Sequence, residues 1–176
     1  ACDLLWRCGV PLVFRGFVGG VLFILSNLSK SLSSFSLAFN NDVIKEVIGR
    51  QGGIQMVLNM MQRHMNSADL LKSACGTLSN LCQNKENQTV IGREGGVTAV
   101  LAVLQAHDDP VLLPFVFDAL ASLIVGHKVN SGKLSAAGAV PVMLRCVERH
   151  LERGELLKSG CHALAILSDV EGHGGA

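Results

Sequence analysis

The chain contains no tyrosine, one tryptophan and only 16% charged residues, against about 25% in an ordinary soluble domain. So few aromatic rings leave little on which bases or sugars could stack. A formal charge of +1 supplies no field to capture a phosphate backbone or anionic lipid. A nucleic-acid partner is therefore not expected. A long uncharged apolar run is also missing: residues 16–29 make only 14 in succession, short of the roughly 18 to 20 that span a bilayer. Membrane use is not expected either. No Cys-x-x-Cys occurs, so the pairs Cys146/His150 and Cys161/His162 do not build a zinc site, and no metal or other cofactor is expected.

What the chain does have is apolar residues. At 49% hydrophobic and a mean hydropathy of +0.39, its 176 residues can bury a full core, and disorder is excluded. Six cysteines could form three disulfides, but Cys75 and Cys82 share a helix face about 10 Å apart along the axis, beyond disulfide reach. Buried free thiols in a reducing compartment, cytoplasm or nucleus, fit better. Asn27 and Asn87 begin N-glycosylation tripeptides, a pattern common by chance.

A repeat organises the chain. Gly52-Gly53-Ile54, Gly95-Gly96-Val97 and Gly138-Ala139-Val140 stand 43 residues apart. Ile48, Ile91 and Leu134 precede them in register, and His64, His107 and His150 follow in register. The histidines read as helix-terminal residues facing last-turn carbonyls, too far apart at roughly 8 to 10 Å to share an ion. Downstream of each glycine signal lies a longer apolar segment, at residues 70–81, 112–123 and 156–167, with apolar residues at the three-four spacing of a helix face. Each unit thus reads as short helix, glycine turn, helix, loop and longer helix. The glycines suit a sharp turn with positive φ. Pro141 and Pro110 suit first turns of helices, whereas Pro114 should distort a first turn or shift a helix start.

The segments 47–58 and 73–81, running Val-Ile-Gly-Arg-Gln-Gly-Gly-Ile-Gln-Met-Val-Leu and Ser-Ala-Cys-Gly-Thr-Leu-Ser-Asn-Leu, resemble the armadillo-repeat family. The resemblance implies an all-α, right-handed α-solenoid of three-helix repeats, cut from a longer repeat protein. Repeats are expected at 41–85, 86–128 and 129–170. Residues 1–40 read as a partial or aberrant preceding repeat carrying a Ser-rich insertion, in which residues 20–28 look like a third helix, and residues 171–176 as a Gly-rich end. Cys161 is expected in the core, as the equivalent of Cys75.

No chemistry stands apart from this repetition, and no catalytic residue is expected. Residues 126–133 imitate a phosphate loop, but five residues separate the glycines and Leu134 replaces the metal-binding hydroxyl. The resemblance implies instead a non-enzymatic scaffold that binds a peptide or helix of a partner protein along a concave face of third helices. Once core positions are set aside, the groove residues are Ser73, Thr77 and Asn80, then Phe115, Asp118 and Ser122, then Ser159 and His162. Asn80 carries the sharpest expectation, because its amide can both donate to and accept from an extended backbone. The other reading is a structural spacer or self-association module with no groove ligand, its solenoid ends being sticky.

Overall fold

The computed structural model describes residues 42–172, and the expectations for residues 1–40 lie outside them. The described residues form helices only: α1 (Asp42–Arg50), α2 (Gly53–Arg63), α3 (Ala68–Leu81), α4 (Lys85–Arg93), α5 (Gly96–Ala106), α6 (Leu113–Ile124), α7 (Lys128–Ala136), α8 (Ala139–Arg149) and α9 (Gly154–Gly172). The fold is an all-α armadillo-type solenoid of stacked short, middle and long helices.

The turn between short and middle helix depends on glycine. Gly52, Gly95 and Gly138 have φ of 78°, 88° and 69°, in the left-handed region that costs other residues roughly 1–2 kcal/mol. The residue after each is constrained by packing. A Cβ on Gly53 or Gly96 would strike the branch methyl Cγ2 of Ile48 or Ile91. In the third unit an alanine, Ala139, takes that place, opposite Leu134, which has no β-branch.

Longer helices form the spine. α6 packs between α3 and α9, and Phe117, Leu120 and Leu123 on α6 are wholly buried. Pro114 shifts the start of α6 to Leu113 and occupies its first turn. Pro110, expected at that helix start, instead lies in the preceding turn. There Asp109 accepts from the Val111, Leu112 and Leu113 amides, so the chain turns once more before the helix begins.

Cys161 corrects an expectation. Cys75, Cys82 and Cys146 are free and buried, but Cys161 is free and exposed. The equivalent positions, Cys75 and Phe117, are covered by the following unit, and among the described residues nothing covers that side of α9.

The stack is stitched by side chains that repeat with the helices. Asn87 of α4 donates to the Lys45 carbonyl at 2.8 Å, and Asn130 of α7 to the Gln88 carbonyl at 3.2 Å. Asn87 is 4% exposed, so the matching tripeptide is a structural element and not an accessible glycan acceptor. The histidine ladder also has a different part from the one expected. His64, His107 and His150 do end α2, α5 and α8, but the rings of His107 and His150 reach back one unit. His107 Nε2 lies 2.6 Å from the Met65 carbonyl, which can only accept, so this nitrogen carries the proton. His150 Nε2 lies 3.0 Å from Asp108 Oδ1.

The Asp108 carboxyl is held below its ordinary range, first by the His150 hydrogen bond, against some desolvation, with help from the charges of His150 and Arg149. A depressed carboxyl pKa stabilises the fold above the unfolded value, near pH 4. That contribution is lost as pH falls through the folded value. The stability difference between the native chain and Asp108→Asn should therefore be full above the unfolded value, near pH 4, and be lost as pH falls through the lower folded value. Urea titrations across this range would show it; a difference unchanged in acid would disprove it.

Candidate binding groove

α3, α6 and α9 present equivalent positions side by side, and the eight expected groove residues fall on them in three different settings. Asp118 and His162 are exposed. Ser73, Thr77, Phe115 and Ser122 are half-buried, while Asn80 and Ser159 are buried at 6% and 9% exposure.

Helix geometry explains most of the second group. A hydroxyl on a helix can reach the carbonyl four residues earlier. Thr77 Oγ1 does so to Ser73 at 2.8 Å, and Ser73 Oγ to Asp69 at 3.0 Å. Ser122 Oγ instead meets Ser79 Oγ at 2.8 Å, joining α6 to α3. Three of the four hydroxyls thus have internal partners.

Phe115 is the apolar feature of the row. Its ring packs against the core on one side, and Lys72 Nζ of α3 lies 4.8 Å from the ring centroid on another. A cation over an aromatic face at this distance is attracted by the ring quadrupole. The lysine was not among the expected groove residues, although Lys72 and Lys158 occupy equivalent places in two nearly identical segments. Val111, 60% exposed just before α6, adds apolar surface. The row therefore brings together a half-covered aromatic, a lysine, an exposed carboxylate on α6 and an exposed imidazole on α9.

Gln88 was likewise missed by the pattern. It is wholly buried, and its Nε2 donates to the carbonyls of Ser122 at 2.8 Å and Val125 at 3.0 Å, capping the end of α6. It thereby fixes the C-terminal half of the helix that carries Asp118 and Ser122. Lys45 does related work in the first unit, reaching Gln83 Oε1 at 2.6 Å.

The buried thiols are held in their protonated form. Burial pushes the thiols of Cys75 and Cys82 up to about 12. Cys146, beside His150 and Asp108, is pushed up to about 11, chiefly by desolvation and then by the Asp108 charge. Such thiols are protonated at neutral pH and are poor nucleophiles. Among the described residues no three His, Cys, Asp or Glu side chains are grouped to hold a metal ion. None of these helices is long and apolar enough to cross a membrane.

Residues 40–83, spanning α1 to α3, match the family model described as Armadillo/beta-catenin-like repeat. That segment carries an armadillo repeat. No curated protein and no solved structure matches it. Armadillo repeats generally serve as protein-interaction scaffolds, and the family is typically non-enzymatic.

Proposed function

We propose that this armadillo stack is a non-enzymatic scaffold that binds an extended peptide or short helix of a partner protein along α3, α6 and α9. The observation that carries the reading is the half-buried Phe115 ring beneath Lys72, on a row of helices that also carries exposed Asp118 and His162. An aromatic anchor bordered by polar groups is the kind of centre on which interface energy concentrates. Asn80 and Ser159, being buried, support the wall of the groove, and Ser73, Thr77 and Ser122 shape it. Buried free thiols fit a reducing compartment, cytoplasm or nucleus.

Selection of a random peptide library on the full chain tests this. Peptides sharing a motif should emerge and bind at least about tenfold more weakly to Phe115→Ala and to Asp118→Lys/His162→Glu, each checked for native helicity. Selected peptides that bind all variants equally would move the working surface elsewhere. The inward-turned hydroxyls of Ser73 and Thr77 favour a second reading, a spacer with no groove ligand. A selection that enriches nothing would support it.

A further inference from the structure

At α6 the groove row sets opposite charges above and below an aromatic ring. α6 packs between α3 and α9, so half-buried Phe115 and exposed Asp118 keep their exposure with a spine helix on each flank. The opening over the ring is therefore a property of the assembled stack. Lys72 of α3 falls one residue below the level of Phe115 in the repeat register, and Asp118 lies three residues beyond Phe115 on α6. At 1.5 Å per residue the two charges differ in height by about 6 Å, with the level of Phe115 between them.

Among the described residues neither charge is paired. No ion pair involves Lys72 or Asp118, and Asp69, one turn before Lys72 on α3, makes none with it. Lys72 is half-buried, and its ammonium rests 4.8 Å from the Phe115 ring centroid. The ring quadrupole attracts this cation but supplies no counter-charge. An ammonium has three donors, and one aromatic face does not satisfy them all. A carboxylate brought here would gain a charge-assisted hydrogen bond beside an apolar surface, where such a bond is stronger than in open water.

Resting on the groove reading above, we propose that the partner is an extended peptide with an acidic residue, an apolar residue two positions away and a basic residue on the far side of the apolar one. The carboxylate pairs with Lys72, the apolar side chain lies on Phe115, and the cation pairs with Asp118. The spacing of the first two follows from distance. A hydrogen bond of about 2.8 Å to Lys72 Nζ places the carboxylate within about 8 Å of the ring centroid. Side chains two positions apart in an extended chain share a face at about 6.6–6.8 Å. Complementary charge of this kind sets the register of a bound chain and penalises the reversed arrangement.

Selection of a random peptide library on the full chain, with Lys72→Glu and Asp118→Lys as comparisons checked for native helicity, tests the assignment. Peptides enriched on the native chain should carry Asp or Glu two positions from an apolar residue and Lys or Arg on its other side. Lys72→Glu should bind them at least about tenfold more weakly. Exchanging the peptide's acidic residue for lysine should weaken binding to the native chain by a similar factor and restore binding to Lys72→Glu. Asp118→Lys should show the same inversion at the basic position. The peptide exchanges are read on the native chain as well, so the test survives a variant that fails to fold. A motif that depends on Phe115 but is indifferent to these charge reversals would overturn the proposal and leave the groove reading standing. Peptides indifferent to Phe115→Ala, or no enrichment at all, would remove both.

Discussion

Replacing Gly92 with alanine should destabilise the stack by about 2–4 kcal/mol, although alanine is the better helix former by about 1 kcal/mol. A Cβ at this position would overlap the Asn130 carboxamide oxygen. Asn130 cannot simply move aside. It is 1% exposed, and its Nδ2 donates to the Leu123 carbonyl at 2.9 Å as well as to the Gln88 carbonyl. Moving the amide leaves buried polar groups unpaired, and moving the backbone separates α4 from α7. Gly132 supplies the contrast, since a Cβ there would meet nothing within 4 Å. Gly132→Ala should gain up to about 1 kcal/mol from helix propensity alone. Urea unfolding of the two variants checks the pair, and equal shifts of the same sign would show that asparagine does not set the spacing of the short helices.

Phe117→Ala should cost about 3–5 kcal/mol, the usual range for deleting a wholly buried aromatic. The ring lies on α6, and its edge is 3.6 Å from where a Cβ on Gly160 of α9 would stand. The ring is thus in ordinary contact with the α9 backbone around Gly160, where a Cβ would strike Val147 Cγ2 instead, and deleting the ring leaves a void between two spine helices. Stability in a repeat stack is a sum of unit and nearest-neighbour contributions, so the loss should concentrate in the last repeat. Amide exchange in α7 to α9 should accelerate well before exchange in α3. Uniform acceleration along the chain would mean that the stack opens as one unit.

The internal ladders place these effects in a common frame. Asn87 and Asn130, Gly49 and Gly92, and His107 and His150 each recur at the repeat period and each act across the boundary between repeats. Side chains that recur with the period need not line a ligand surface. Several of them set the spacing on which such a surface depends.

Much of this was legible in the chain itself. The 43-residue step of the glycine signals and the three-four apolar spacing specify helices and their order, because backbone conformation and amphipathic faces are local properties. The buried cysteines follow from the same face assignment, except Cys161, whose burial depends on a neighbour that lies outside its own helix. The groove residues were legible as positions but not as surfaces. Whether Ser73 turns back to its own helix, Ser122 reaches Ser79 or Lys72 covers Phe115 is decided by the distance between neighbouring helices. That spacing depends on how asparagine fits against glycine, and side chain against spine, over separations of about 42 residues. Sequence periodicity fixes which residues are equivalent; only packing across the repeat boundary decides which of them remain open to a partner.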